Sequence, residues 1–247
     1  MALINELEKQ GNFLFKYRGQ IPVVLFVLAI PFIYATDLSD VDEKYIQICK
    51  VVAIIISFLG FVVRAITIAT TPRGTSGRNT KQQIADSLNS TGVYSIVRHP
   101  LYLGNYLMWI GIVLFTYNFY FVLIVSLLYW LYYERIMFAE ERFLQKKFGE
   151  DYLHWASQKP AFLPNFSNYV KSEVSFSFKS ILRREYSGVL ATVIGFVFVE
   201  LARNCFVDQC ICISNGYWFT LVVVLVFSLI LRTIKKTTTL LDESGRS

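Results

Sequence analysis

The sequence predicts an all-α fold, a polytopic transmembrane helical bundle of about six spans, and three observations carry that prediction. Of the 247 residues, 54% are hydrophobic and 17% charged, whereas a soluble domain carries about a quarter charged residues. The apolar residues are gathered into runs instead of being spaced along one helix face. Finally, 21 of the 24 lysines and arginines fall in four of the segments that flank or separate those runs.

The runs are Gln20–Ala35, Tyr45–Ile68, Leu101–Thr116, Phe119–Tyr133, Ser187–Phe206 and Tyr217–Leu231. Each has roughly the 15–24 residues that a ~30 Å hydrocarbon core demands. Each must be helical, because lipid offers no partner for exposed backbone groups. The third and fourth are joined only by Tyr117 and Asn118, which reads as a tight hairpin whose helices continue past the bilayer surface. The first 19 residues hold Glu6, Glu8, Lys9, Lys16 and Arg18 and no long apolar core, so they do not read as a cleaved signal peptide.

Segments 1–19, 64–100, 134–185 and 232–247 contain 3, 5, 9 and 4 basic residues. The positive-inside rule makes these segments, and with them both termini, cytosolic. The outward loops point to a bacterial inner membrane. The net charge of +6 is then a topology signal, and no nucleic-acid partner is expected. All four cysteines (Cys49, Cys205, Cys210, Cys212) fall on the outward side. An oxidising compartment there would allow one or two disulfides; buried free thiols are the alternative. The only histidines are His99 and His154, which lack zinc spacing, so no metal site is expected.

Polar chemistry concentrates in two cytosolic segments. The first contains a stretch rich in turn formers and donors, Thr71 to Asn79, and then the string from Thr91 to Asn105. Pro100 suits the first turn of the third span. Arg98 and His99 then sit at a helix mouth, where orphan N–H groups and the helix dipole attract anions. Taken singly, Arg98 could be a snorkelling arginine, His99 a capping histidine, and Gly92 and Gly104 packing or turn residues. The second segment leaves the fourth span with Ile136, Phe143, Leu144 and Phe148 at helical spacing, so the helix is expected to run to Phe148 and stop at Gly149. Adjacent Glu140 and Glu141 point about 100° apart on such a helix. Alone, that pair could equally be a solvated face.

Together the two segments resemble a known family. Gly92-x-Tyr94, then Arg98-His99-Pro100-x-Tyr102-x-Gly104, and after the hairpin Glu140-Glu141-x-x-Leu144-x-x-x-Phe148-Gly149-x-x-Tyr152-x-x-Trp155, with Pro160 and Pro164 beyond, are similar to the isoprenylcysteine carboxyl methyltransferase and phospholipid methyltransferase superfamily. The resemblance covers a core over residues 45–166; an N-terminal segment and first span (1–44) precede it, and an extension with two further spans (167–247) follows it. It implies that S-adenosylmethionine binds at cytosolic helix ends and loops, and that a lipophilic small molecule or lipid enters from the bilayer. Carried over position by position, Arg98, His99, Tyr102, Gly104, Glu140 and Glu141 would line the cofactor pocket, with Gly92 and Tyr94 at its rim and Arg98 and Glu141 nearest the chemistry.

The sequence departs from that pattern in three places: Arg135 stands five residues before Glu140, on another helix face, Trp155 replaces the usual tyrosine, and two extra spans follow the core. The main alternative is an NADPH-dependent sterol-type membrane reductase, whose RHxxYxGD string is related, but here Asn105 follows Gly104. A non-catalytic membrane scaffold is the other. In the extension, Glu200 and Arg203 lie three apart within an apolar run, on one helix face where they can pair; the plainer reading is that Arg203 snorkels outward with Glu200 beside it, and the sharper one is that this face packs against the core hairpin and closes one side of the lipid entrance.

Overall fold

The computed structural model describes residues 2–72, 74–75, 83, 85–207 and 209–246. Arg73 and Ser76 to Asn79 of the turn-rich stretch lie outside the described residues. The described chain forms helices α1 (Leu3–Lys16), α2 (Val24–Tyr34), α3 (Glu43–Ala69), α4 (Pro100–Leu114), α5 (Phe119–Phe148), α6 (Glu150–Gln158), α7 (Phe178–Phe206) and α8 (Asn215–Thr237). Its only β feature among the described residues is an isolated antiparallel bridge between Gly92 and Val170.

The helix ends follow from local chemistry. Asp42 accepts from the Lys44 amide at 2.8 Å to start α3, and Asn118 accepts from Phe121 at 2.9 Å to start α5. Ser177 does the same for α7 through the Ser180 amide. Pro100 occupies the first turn of α4. As the apolar stripe predicted, α5 runs to Phe148 and stops at Gly149, whose φ of +56° is open to glycine.

Helices occupy all six predicted runs, but among the described residues only α3, α5, α7 and α8 are long and apolar enough to cross a membrane unaided. A fifth crossing arises if α1 and the Ile21–Tyr34 helix count as one span bent by 74°. α4, at 15 residues, is only about 22 Å long at 1.5 Å per residue. It need not match the bilayer, because it is wrapped by protein: Tyr102, Met108, Ile110, Ile112 and Val113 are all buried.

The α3–α4 seam is built from small residues that bring the backbones together. A Cβ at Gly60 would lie 2.6 Å from the Gly104 carbonyl, and one at Gly111 would lie 2.5 Å from that of Ala53. Ser57 Oγ donates to the Met108 carbonyl at 2.8 Å across the same seam. α7 closes against α4 where Gly195 meets Ile112.

Both termini dock at the end where α3 finishes and α4 begins. On α1, Glu8 pairs with Lys146 of α5, and Gly11 lies against the Arg135 carbonyl and Ala139. At the other terminus Arg246 donates to the Ala69 carbonyl at 2.9 Å, and Glu243 accepts from Ser177. The opposite end carries the α4–α5 turn. There Arg203 donates to the Thr116 carbonyl at 2.7 Å and lies over the Tyr117 ring, so this face of α7 does meet the hairpin. Cys210 and Cys212 form a disulfide at that end, while Cys49 and Cys205 are free thiols.

Candidate active site

The stretch before α4 is held in place by backbone pairing, not by regular secondary structure. Gly92 adopts φ +61° and ψ −135°, a region closed to most side chains, and its amide donates to the Val170 carbonyl at 2.9 Å. The Arg98 and His99 amides donate to the carbonyls of Pro160 and Ala161 at 2.9 and 3.2 Å, and Asn165 returns a bond to Ile96 at 2.9 Å. The loop after α6 thus satisfies backbone groups that would otherwise be orphaned. It also fixes the direction in which Arg98 and His99 leave the chain.

His99, 7% exposed, lies between the two glutamates of α5. Its Nε2 is 2.9 Å from Glu141 Oε1, its Nδ1 is 3.6 Å from Glu140 Oε2, and its ring stacks on Tyr102. Arg98 Nε approaches the same Glu141 oxygen at 3.4 Å. A neutral imidazole would turn a lone pair toward one carboxylate, so the site favours the imidazolium, in which both nitrogens donate. Burial works against that charge, but the hydrogen bonds and charges of Glu140 and Glu141 outweigh it and raise the His99 pKa above its ordinary value. Burial likewise pushes Glu141 up, and His99 and Arg98 more than reverse it, leaving the carboxyl below its ordinary value.

These shifts make stability depend on pH. The His99 contribution is complete below its unfolded value of 6.5 and is lost as pH rises through the higher folded value. The Glu141 contribution is complete above 4.5 and is lost as pH falls through the lower folded value. Both are present in full between those limits. The melting-temperature gap between the wild type and His99→Gln in detergent is therefore expected to be widest there and to narrow above neutral pH. A gap that grows with rising pH would contradict the assignment.

The cluster borders a cleft of about 410 Å³, within the size range of small-molecule sites. Its upper wall is Tyr94, Arg98, His99, Tyr102, Glu140, Tyr152 and Trp155. Trp155 Nε1 is a buried donor without a protein partner. The floor is a second polar cluster. Arg64 makes a two-pronged pair with Glu185, Nε to Oε2 at 2.7 Å and Nη2 to Oε1 at 2.6 Å, and its Nη1 donates to Asn105 Oδ1 at 2.6 Å. Asn105 Nδ2 then donates to the Tyr133 hydroxyl at 3.1 Å. One side chain each from α3, α4, α5 and α7 is thereby joined.

Of the residues singled out in the sequence, Tyr94, Arg98, His99, Tyr102 and Glu140 come together on the cleft wall. Glu141 stands behind that wall, in contact with Arg98 and His99. Gly92 shapes the turn leading to it. Gly104 faces α3, where a Cβ would lie 2.5 Å from Arg64 Cγ. Arg135 pairs with Glu134 at 2.9 Å, away from the cleft. Sequence reasoning missed Arg64, Glu185, Arg184 and Arg18, all of which line the cleft. Arg64 carried a usable signal, since an ionisable residue inside an apolar run is normally functional or paired.

Residues 48–151 match the family model described as phospholipid methyltransferase. The chain is 31% identical over 77 residues to the protein-S-isoprenylcysteine O-methyltransferase of Schizosaccharomyces pombe, a match covering 31% of this chain and 33% of that protein. It is 34% identical over 84 residues to the cobalt-zinc-cadmium resistance protein CzcN of Cupriavidus metallidurans, covering 34% of this chain and 38% of that one. It is 29% identical over 166 residues to the nickel-cobalt-cadmium resistance protein NccN of Alcaligenes xylosoxydans xylosoxydans, covering 67% and 72%. The chain thus spans only about a third of the length of the first two relatives. No solved structure matches.

Proposed function

We propose, from the match of residues 48–151 to the phospholipid methyltransferase family model and the likeness to an isoprenylcysteine O-methyltransferase, that the chain is a membrane methyltransferase that moves a methyl group from S-adenosylmethionine to a lipophilic acceptor at the cytosolic membrane face. The observation that carries the reading is the His99 ring held between Glu140 and Glu141, beside Arg98, at the mouth of α4. The wall residues suit this cofactor. Arg98, at a helix N-terminus, would hold its carboxylate, and Glu140 its ammonium or ribose hydroxyls. The unpartnered Trp155 Nε1 would supply a further donor. When bound, the cofactor supplies an electrophilic methyl on a sulfonium.

The protein's part is positioning and exclusion of water. Glu141 fixes His99 and Arg98 in place without touching the cleft. The 160–165 strand of loop holds the same residues from the backbone side, and Tyr152 and Trp155 close the wall with aromatic surface. A base is needed only for an amine or hydroxyl acceptor. On this reading residues 45–166 form the catalytic core and 167–247 complete it.

Titration calorimetry in detergent tests the donor. S-adenosylhomocysteine is expected to bind and NADPH to give no heat; the reverse would favour the reductase. Methyl label recovered in the lipid extract of membranes incubated with labelled cofactor would identify the acceptor. Both termini are assigned to the cytosol of a bacterial inner membrane, the side that holds the basic segments. A reporter active only in the periplasm, fused after Ser247, is expected to stay silent, and a signal from it would reverse the orientation.

A further inference from the structure

The extension beyond the family-matched segment does more than add anchoring spans. α7 delivers Arg184 and Glu185 to the cleft floor, and Glu185 is only 1% exposed. A carboxylate that deep in a bundle needs a partner, which Arg64 supplies. Glu185 also lines a second, smaller cavity of about 160 Å³ between α3, α7 and α8, walled by Phe61, Leu182, Val189, Val224 and Phe227. The two cavities thus share one wall residue, with a polar chamber on one side and an apolar channel on the other.

The channel follows from helical periodicity. Leu182, Glu185 and Val189 recur at three- and four-residue spacing on α7, and Val223, Val224, Phe227 and Leu231 do so on α8. Along α8 it runs from Val223 to Leu231, about 12 Å at 1.5 Å per residue. Of the two hydroxyl-bearing residues that line it, Ser228 and Tyr186, Ser228 already donates its Oγ proton to the Tyr186 carbonyl. The channel lies toward the end of α8 that carries Arg232, Lys235 and Lys236, the same end as the site. Leu182, Val223 and Phe227 are exposed, so the channel opens sideways into the surrounding apolar phase. A volume below the ~300 Å³ of a full small-molecule pocket suits a segment of hydrocarbon chain with the remainder in lipid.

We infer that the α3–α7–α8 channel holds the hydrocarbon chain of the methyl acceptor, a lipid drawn from the leaflet on the site's own side, with its reactive head at the Arg64–Glu185 pair. The inference rests on the methyltransferase reading and assigns the acceptor subsite to the C-terminal extension. A chain lying in the channel must pass Glu185 to reach the cleft, so the shared wall sets where the head stops. The ion pair positions that head and takes no covalent part.

Filling the channel tests this. Val224→Trp narrows it, whereas Val222→Trp, one residue pair away and exposed off the channel, adds the same bulk to the lipid face. With the intact protein in detergent and a total membrane lipid extract as acceptor source, Val224→Trp is expected to raise the lipid concentration giving half-maximal methyl incorporation at least tenfold. S-adenosylhomocysteine affinity should stay within twofold, and Val222→Trp should resemble the wild type in both. If Val224→Trp does not fold, a photoreactive benzoylphenylalanine at Phe227 provides a second reading: it should capture methyl-labelled lipid, and the same group at Val222 should not. Equal behaviour of the two tryptophan variants, or equal capture at both positions, overturns the channel assignment while leaving the cofactor reading intact. Failure of the wild type to bind S-adenosylhomocysteine overturns both.

Discussion

Glu141→Ala is expected to lower affinity for S-adenosylhomocysteine about ten- to a hundred-fold, although Glu141 does not line the cleft. It removes a charge-assisted bond worth ~1.5–3 kcal/mol from His99 and the counter-charge from Arg98 at once. His99 would then lean on Glu140 alone, at 3.6 Å. The wall would keep its residues and lose their aim. His99→Ala is expected to lose a similar factor by freeing both glutamates. Calorimetry on monodisperse protein in detergent reads both, and unchanged affinity in the two variants would place the pocket elsewhere.

Glu185→Ala is expected to be the most destabilising single change in the bundle. It strands the Arg64 guanidinium, 16% exposed, among apolar helices, and breaking one side of a buried pair typically costs about 3–5 kcal/mol. Replacing both charges with apolar residues of similar volume, Arg64→Met with Glu185→Leu, should recover most of that loss, since the desolvation of two ions disappears with them. Unfolding in mixed micelles measures both. If the double variant is no more stable than the single one, the network through Asn105 and Tyr133, and not the pair itself, holds the helices together.

The six apolar stretches were legible because a lipid solvent leaves only one secondary structure open to them, and the end of α5 because a stripe and a glycine mark it independently. The cluster around His99 was legible only through its resemblance, since a lone arginine, histidine or glutamate pair has a plainer reading in each case. How the glutamates divide their work was not: helical geometry separates Glu140 from Glu141 by about 100° but cannot say that His99 would bridge them. Glu185 escaped because it lies just outside an apolar run, where a charge looks like an anchor, and its pairing with Arg64, 121 residues away, is made only by the fold; Arg64 alone carried a signal. α1 escaped because its stability comes from docking Gly11 and Glu8 on α5, contacts that its own sequence does not foreshadow. The lengths of α2 and α4 depended on how much neighbouring protein shields them, which composition does not record.

The shortness of α4 has a consequence for where the chemistry happens. On the proposed orientation, a helix about 8 Å shorter than the hydrocarbon thickness, with the turn at its far end tied to Arg203, would leave its mouth short of the bilayer surface. On the proposed reading Arg98 and His99 would lie at or below the edge of the hydrocarbon, reached by the donor from the water side and by a lipid that stays in its leaflet. That arrangement would tie turnover to hydrophobic mismatch: in thicker bilayers the recess would deepen and the donor's path lengthen, while thinner ones would bring the mouth to the surface. Turnover should then follow the acyl-chain length of the reconstituted membrane even where the acceptor's own concentration is held constant.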